Sequence, residues 1–242
     1  MNGAIVLMYH NIADPPAGKD PLGLYVSPGM FRFQMWYLKT AGFRVVSLSD
    51  VRSFIKGDHS GEKLVALTFD DGYQDFYENA YPVLMRYRYP STVFLVSDLI
   101  GRENSWEEDP IMGRRRLLDW DAIHAIKAEG VVFGSHSRTH PFLSRLSMDA
   151  LRAEISGSKS RLEAELQLPV DFFCYPYGDY GPGAVDMVKE AGYTLAVTTK
   201  RGLVHEGSDP YEIRRSFIRG GTNPFLFLLR LHSGYEDRKR TD

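Results

Sequence analysis

The sequence predicts an α/β protein that is built on a parallel sheet, either a closed (β/α) barrel or an open, doubly wound sheet. Two observations predict this class. Short apolar runs that end at turn residues alternate with longer segments of helical periodicity, which is the pattern of repeated strand–helix units. No change in composition divides the 242 residues, so a single domain over residues 1–242 is expected.

The predicted strands are about seven or eight short apolar runs, of the kind that is buried on both faces of a sheet. The run at 64–69, Leu-Val-Ala-Leu-Thr-Phe, shows the pattern most clearly, because Asp70, Asp71 and Gly72 end it abruptly. Asp and Gly dominate turns, so they mark the end of the strand. In chain order, the predicted strands are 4–9, 43–47, 64–69, 91–96, 131–135, 172–175, 194–198 and 213–218.

The predicted helices lie between these strands and begin or end at residues with known capping preferences. Ser27 and Pro28 supply an N-cap and a first-turn residue, and Gly42 ends the same helix. Ser49 and Asp119 are the expected N-caps of the second and fourth helices. In chain order, the predicted helices are 28–41, 50–56, 79–87, 120–129, 148–166, 183–191 and 224–231, followed by a charged tail, 236–242, that is expected to fray.

The composition is that of an ordinary soluble globular protein, and it excludes several functional classes. A net charge of −2, with 25% charged residues, gives no indication of binding to nucleic acid. Cys174 is the only cysteine, so neither an intrachain disulfide nor a cysteine-based zinc cluster is possible. No apolar run approaches the roughly 20 residues that cross a bilayer. The N-terminus lacks the pattern of a signal peptide, so we expect a cytoplasmic protein, or an exported one if a leader precedes this chain.

Four predicted strands end in polar or reactive side chains, which are the candidates for a functional site. In a parallel barrel the carboxyl ends of all strands lie on one face, where active sites are built. Residues far apart in the sequence are therefore expected to converge. The candidates at these strand ends are His10, Asp70, Asp71, His136, His140, Tyr175 and Tyr177.

A divalent metal site is the first chemical interpretation of these residues. His136 and His140 are four residues apart, a spacing that lets two imidazoles bind one ion. One carboxylate from Asp70 and Asp71 completes a set of three protein ligands and leaves a position open for water, which is typical of catalytic sites. The other carboxylate could then take a proton from that water. The alternative is structural: polar turns whose Asp side chains bond the local backbone.

Three segments resemble the first three motifs of the polysaccharide deacetylases, which form carbohydrate esterase family four and share the NodB homology domain. They are Thr-Phe-Asp-Asp-Gly at 68–72, Ser-His-Ser-Arg-Thr-His at 135–140 and Phe-Cys-Tyr-Pro-Tyr-Gly at 173–178. The resemblance covers nearly the whole chain and implies a distorted, TIM-like (β/α) barrel with about seven parallel strands. It also implies a divalent metal, most often zinc, with cobalt, nickel or manganese as alternatives. The implied reaction is hydrolysis of the acetamide group on N-acetylhexosamine units of a glycan.

The resemblance assigns roles residue by residue. Asp70 matches the general base, and the metal ligands are matched by Asp71, His136 and His140. The position of Tyr177 matches a tyrosine whose backbone N–H stabilises the tetrahedral oxyanion beside the metal.

Two features depart from the family pattern. The third motif usually carries an arginine that orients the base, and this chain has Cys174 there. Arg215 is the candidate to replace it, although an ordinary surface arginine is an equally good interpretation. The general acid is normally a histidine in a late Leu-x-His motif; here Met8-Tyr9-His10 fits, as in the circularly permuted poly-N-acetylglucosamine deacetylases. We expect His10 to be the acid, the alternative being a histidine that merely ends a strand.

Aromatic side chains near the strand ends are candidates for a surface on which sugar rings stack, although core packing accounts for them equally well. Trp106 and Tyr175 are expected to contact substrate, and Arg215 is a further candidate. Two other functions remain open on this scaffold. One is an amidase that acts on a small linear or cyclic amide, and the other is a carbohydrate-binding protein without catalysis.

Overall fold

The computed structural model shows an α/β fold and describes residues 3–16, 20–57, 63–106 and 113–238. Short 3₁₀ turns and one π-helical turn, Phe76–Ala80, supplement the main elements. No helix in these ranges is long and apolar enough to cross a membrane. The strands are β1 (Ile5–Tyr9), β2 (Arg44–Val46), β3 (Leu64–Phe69), β4 (Thr92–Leu95), β5 (Val132–Ser135), β6 (Phe172–Cys174), β7 (Leu195–Arg201) and β8 (Ile213–Phe217). The α-helices are α1 (Pro28–Thr40), α2 (Leu48–Ile55), α3 (Tyr81–Tyr87), α4 (Trp120–Ala128), α5 (Met148–Leu166), α6 (Pro182–Glu190), α7 (Pro224–His232) and α8 (Tyr235–Arg238).

Seven of the strands close into a barrel. Their order is β1-β8-β7-β6-β5-β4-β3, and the parallel pairing of β1 with β3 completes the ring. Strand β2 lies beside the first half of β3, whose second half pairs with β4. The predicted parallel barrel is therefore confirmed, and the open, doubly wound alternative is wrong.

Alternate residues of each strand face the barrel interior and the surrounding helices. Val6 belongs to the apolar cluster inside the barrel, whereas its neighbour Leu7 belongs to the cluster between the strands and the helices. Side chains two residues apart share a face of a strand. Arg215, two residues after the interior Ile213, therefore points into the barrel, near its carboxyl end.

The pairing of β1 with β3 fixes two candidate residues side by side. The register places Tyr9 opposite Phe69, and the Asp70 N–H donates to the Tyr9 carbonyl at 2.9 Å. The next residues along each strand are His10 and Asp70. They therefore emerge together at the mouth of the barrel.

The helix caps agree with the sequence in one case and differ in another. Asp119 is the N-cap of α4, as predicted, because its carboxylate accepts the N–H of Ala122 at 2.9 Å. The predicted cap Ser49 is wrong: Ser47 is the N-cap of α2. The Ser47 hydroxyl accepts the N–H of Asp50 at 3.2 Å, and the Asp50 carboxylate accepts the N–H of Ser47 at 2.9 Å. This reciprocal pair is a capping box, which satisfies two N–H groups instead of one.

The charged tail begins as an ordered helix, contrary to the prediction that it frays from residue 236. Helix α8 contains Glu236, which is fully buried. Its carboxylate pairs with Arg201 at 2.7 Å and with Arg230 at 3.4 Å. The charge can be buried because these two guanidinium groups compensate it. Residues 239–242 of the predicted tail lie outside the described residues.

Candidate active site

A cleft of about 740 Å³ opens at the carboxyl end of the barrel. This is the face on which parallel barrels build their active sites. Every site residue that was selected from the sequence lies in the wall of this cleft. These residues are His10, Asp70, Asp71, Trp106, His136, His140, Tyr175, Tyr177 and Arg215.

Asp71 forms a compact cluster with the two predicted histidine ligands. Its Oδ1 lies 3.2 Å from Nε2 of His136 and 3.4 Å from Nε2 of His140, and all three side chains are buried. Burial alone would raise the pKa of Asp71, but hydrogen bonds from His136 and His140 hold this pKa well below its usual range. The cluster is therefore a buried carboxylate that faces two ring nitrogens.

The donor atoms of this cluster fit a divalent cation. Nδ1 of His136 donates to the Cys174 carbonyl oxygen at 2.7 Å, an arrangement that in ligand histidines directs Nε2 at the metal. Ligand atoms about 2.0–2.1 Å from a tetrahedral ion lie about 3.3 Å from one another, and the two separations from Asp71 Oδ1 match this value. One carboxylate oxygen with two imidazole nitrogens is also a ligand set that suits zinc.

Asp70 is held by a buried arginine from the last strand of the barrel. Nη1 and Nη2 of Arg215 donate to Oδ1 and Oδ2 of Asp70, each at 2.7 Å, as a bidentate pair. Burial alone would raise the pKa of Asp70, but the Arg215 guanidinium outweighs it and lowers this pKa. Asp70 is therefore ionised near neutral pH. Arg215 holds Asp70 in the way that the missing motif arginine is expected to hold the base, and it is not a surface residue, being 1% exposed.

The hydrogen bonds of Arg215 favour a positioning role over the predicted contact with substrate, which stays a prediction. All five of its N–H groups face protein acceptors. Besides the two bonds to Asp70, Nε donates to the Thr198 carbonyl at 2.8 Å, and Nη1 donates to the Thr68 hydroxyl at 3.1 Å. Nη2 also donates to Sγ of Cys174 at 3.3 Å. A guanidinium without a spare N–H positions its neighbour and does not bind a ligand.

His10 lies between the base candidate and the open cleft. Its Nε2 is 3.9 Å from Oδ2 of Asp70, and its side chain is 15% exposed. Its Nδ1 is buried with no hydrogen-bond partner among the described residues. Burial lowers the pKa of His10, against the opposing effects of Asp70 and Asp71. The imidazole is therefore neutral near neutral pH.

The turns that carry the site residues have strained backbones. Asp71, Ser137, His140 and Tyr177 have φ values of 71°, 64°, 64° and 58°. For a residue with a side chain, this left-handed region costs roughly 1–2 kcal/mol. The two other described non-glycine residues with positive φ are the C-caps of helices α3 and α5. Among the described residues, the non-glycine residues with positive φ that are not helix C-caps therefore all lie in the turns after β3, β5 and β6. These turns direct side chains at the cleft.

An aromatic wall borders the metal-ligand candidates. The ring of Trp106 stacks on His140 at 4.4 Å, and the Tyr177 ring meets the same imidazole edge-on at 4.4 Å. Tyr177 is 41% exposed, so part of this wall is open to a ligand. Tyr175 differs, because its side chain is fully buried and its hydroxyl donates to a backbone carbonyl. For Tyr175 this burial favours the core-packing alternative, and its contact with substrate stays a prediction.

Three arginines of the cleft were not selected from the sequence: Arg201, Arg219 and Arg230. Phe217, at the end of β8, connects one of them to the site. Its ring centroid lies 5.1 Å from that of His10 and 4.7 Å from the Arg219 guanidinium. The sequence could have identified Arg219 as a site residue, because it directly follows the predicted strand 213–218. Arg230 lies on a helix, where no strand-end argument applies.

Comparison with known proteins identifies similar chains. A family model described as polysaccharide deacetylase matches residues 57–196. A relative from Staphylococcus aureus (strain COL), named poly-beta-1,6-N-acetyl-D-glucosamine N-deacetylase, is 23% identical over 253 residues and covers 99% of this chain and 86% of its own length. A protein of the same name from Escherichia coli (strain K12) is 25% identical over 241 residues, which include 84% of this chain. This chain spans about a third of the Escherichia coli protein, 35% of its length.

Two solved structures share the fold over almost the whole chain. The deacetylase PplD from Streptococcus pyogenes, in complex with acetate, has a TM-score of 0.83 and 26% identity, covering 95% of this chain and 98% of that one. IcaB from Ammonifex degensii has a TM-score of 0.81 and 25% identity, covering 96% of both chains. The likeness therefore extends beyond the residues that the family model matches.

Proposed function

This chain belongs to the polysaccharide deacetylase family, a family of hydrolases, and we propose that it removes N-acetyl groups from N-acetylhexosamine units of a glycan. One observation carries the proposal: the Asp71, His136 and His140 cluster lies directly beside a carboxylate, Asp70, that a bidentate arginine holds ionised. The relatives named above support the substrate class, because their names specify poly-β-1,6-N-acetylglucosamine.

We assign the metal to Asp71, His136 and His140, and zinc is the expected ion. A divalent cation held there supplies a Lewis acid that acidifies water and polarises an amide carbonyl. The Tyr177 backbone N–H is the proposed donor to the oxyanion, because the turn at Tyr177 lies at the cleft.

Asp70 is the proposed general base. It is ionised near neutral pH because Arg215 lowers its pKa, and it precedes the metal ligand Asp71 in the chain. The two bonds from Arg215 fix both carboxylate oxygens in one orientation. Asp70 is therefore already oriented to accept the proton of an attacking water, so no side-chain conformational entropy has to be lost during the reaction.

His10 is the proposed general acid, which protonates the departing amine nitrogen. Because burial keeps this imidazole neutral, it has to gain its proton during the reaction. The nearest proposed source is Asp70, whose Oδ2 lies 3.9 Å from Nε2 of His10. A proton taken from water by Asp70 can thus be passed to His10 and then to the leaving nitrogen.

The dimensions of the cleft favour a glycan over a small amide. A volume of about 740 Å³ is more than a small linear or cyclic amide needs. Trp106 and Tyr177 provide the aromatic surface on which a sugar ring can pack. A carbohydrate-binding protein without catalysis would have no use for a carboxylate held ionised beside a ligand cluster.

Acetate release from N-acetylglucosamine oligomers tests the proposal. We expect release in the presence of zinc or cobalt, its loss after chelation and its recovery when metal is restored. Asp70→Asn should abolish release while the protein still binds one metal per chain, because Asp70 is not a ligand. No release from a metal-loaded, folded wild-type protein, or full activity of Asp70→Asn, would contradict the proposal.

A further inference from the structure

One wall of the cleft is built from arginines that the proposed reaction does not use. Arg201, Arg219 and Arg230 all line it. The acidic residues in the described lining are Asp70 and Asp71, and both are committed to the catalytic centre. The arginine wall is therefore not neutralised from within the cleft.

The three arginines of this wall differ in how they are paired. Glu236 pairs with Arg201 at 2.7 Å and with Arg230 at 3.4 Å, so two guanidinium groups share one carboxylate. Arg219 has no carboxylate partner among the described residues. Burial lowers the pKa of Arg230, and the neighbouring Arg201 and Arg219 lower it further, against the effect of Glu236. Asp20 lies beside Gly220, and its carboxylate accepts the backbone N–H groups of Leu24 and Tyr25. Three guanidinium groups on one wall of the cleft favour the approach of an anion.

Arg219 is fixed in an exposed position beside the proposed acid. Its guanidinium packs on the ring of Phe217, a cation–π contact. Its aliphatic stem lies over Gly23, where a Cβ would come within 3.2 Å of the side-chain carbons of Arg219. Since Phe217 also contacts His10, one ring connects the exposed Arg219 to the proposed acid.

Arg230 supplies a second, more deeply buried cation. The residue is only 8% exposed, and its Nη1 donates to the Phe217 carbonyl at 2.7 Å and to the Ser216 hydroxyl at 3.0 Å. Its Nε has no acceptor among the described residues. A buried, charged donor without an acceptor is costly, and an anion at this wall would reduce that cost.

We propose that the wall formed by Arg201, Arg219 and Arg230 is a subsite for an anionic group of the glycan, a carboxylate or a phosphate ester, next to the N-acetylated unit. Guanidinium groups bind both kinds of anion through paired, charge-assisted hydrogen bonds. The inference rests on the proposed deacetylase function and specifies its substrate as an acidic glycan.

The first test compares kcat/KM for two tetrasaccharides at low ionic strength. Chitotetraose is neutral, and a hyaluronan tetrasaccharide carries glucuronate next to N-acetylglucosamine. We expect the acidic substrate to be preferred by about tenfold or more, the usual effect of a charge-assisted hydrogen bond. In Arg219→Gln the ratio should fall towards one. Two results would overturn the subsite. One is a ratio near one in the wild type together with no preference for the phosphate ligand described below. The other is a preference for the acidic substrate that Arg219→Gln leaves intact.

Arg145→Gln is the matched control. Arg145 is also an exposed arginine stacked on a phenylalanine, 4.3 Å from the ring centroid of Phe142, but neither residue lines the cleft. The substrate ratio should stay at its wild-type value in this variant. A fall equal to that of Arg219→Gln would assign the preference to general surface charge and overturn the subsite.

A binding measurement separates failure of the subsite from failure of the proposed function. Calorimetry compares N-acetylglucosamine, N-acetylglucosamine 6-phosphate and a glucuronate-containing disaccharide on the wild type and on Arg219→Gln. If neither tetrasaccharide releases acetate, the deacetylase proposal fails, and this binding series decides the subsite. The subsite is supported if either acidic ligand binds the wild type more tightly than N-acetylglucosamine and this difference is lost in Arg219→Gln. The acidic ligand that binds more tightly then identifies the preferred anion as phosphate or carboxylate. Equal binding of all three ligands overturns it.

Discussion

Replacing Arg215 tests how the barrel holds its proposed general base, Asp70. Arg215→Met removes a buried guanidinium and leaves Asp70 without its two 2.7 Å hydrogen bonds. Breaking a buried ion pair from one side costs about 3–5 kcal/mol. A domain of this kind has a free energy of unfolding of about 5–15 kcal/mol, so we expect a large but survivable loss of stability in urea-induced unfolding.

The same variant should show a large fall in kcat and little change in KM. Arg215 has no N–H left for a ligand, so substrate binding should change little. A positioned acid or base contributes about 10²–10⁴-fold to a rate, and we expect kcat to fall by at least about a hundredfold. Metal content should remain at one ion per chain, because the Asp71 cluster is intact.

Three further variants make this prediction specific. Arg215→Lys keeps the charge without the bidentate geometry and should lie between the wild type and Arg215→Met. Arg214→Met is the control, since its side chain donates to the Arg201 carbonyl at 3.0 Å and not to Asp70. Cys174→Arg combined with Arg215→Met should restore part of kcat, because the Cys174 sulfur is 3.3 Å from the Arg215 guanidinium. A folded, metal-loaded Arg215→Met protein with wild-type kcat would refute the reasoning.

Three other outcomes follow from the structure. His10→Asn should lower kcat by about 10²–10⁴-fold at unchanged metal content; a kcat near the wild type would assign the acid elsewhere. Zinc at a hundredfold excess over its dissociation constant should stabilise the fold by about 2.7 kcal/mol in calorimetry, and an equal shift in His140→Gln would place the metal at another site. Gly134→Ala should destabilise by about 1–3 kcal/mol in urea, because the new Cβ would lie 2.5 Å from ring atoms of Phe94. Gly181→Ala, whose Cβ meets nothing within 4 Å, is its control.

The order of strands and helices could be predicted because most strands are buried on both faces and therefore contain unbroken apolar runs. All eight predicted strands are present within three residues of their expected bounds. Capping preferences alone did not identify the N-cap of α2, because two nearby residues are suited to that position. Ser47 and Ser49 are both good N-caps, and only the reciprocal bond with Asp50 distinguishes them. The convergence of the site residues followed from a general property of parallel barrels, that strand ends share one face.

The charged residues that the sequence did not resolve are those whose partners are distant in the chain. In Ile-Arg-Arg-Ser-Phe, at 213–217, local pattern does not say which of Arg214 and Arg215 faces the interior. That choice depends on closure of the barrel, which brings Asp70 opposite Arg215. Glu236 was expected in a frayed tail for the same reason, since its burial depends on Arg201, 35 residues earlier.

The closing seam of the barrel has a consequence for how the site is assembled. His10, Asp70 and Arg215 come from or directly follow β1, β3 and β8, and β1 pairs with both of the other strands. The proposed acid and the proposed base are therefore brought together only when β1 closes the ring. All five residues of β1 are buried, and core strands of this kind open with free energies that approach that of global unfolding. Amide hydrogen exchange in β1 should therefore be among the slowest in the chain, and faster exchange there than in the surrounding helices would show that the seam opens on its own.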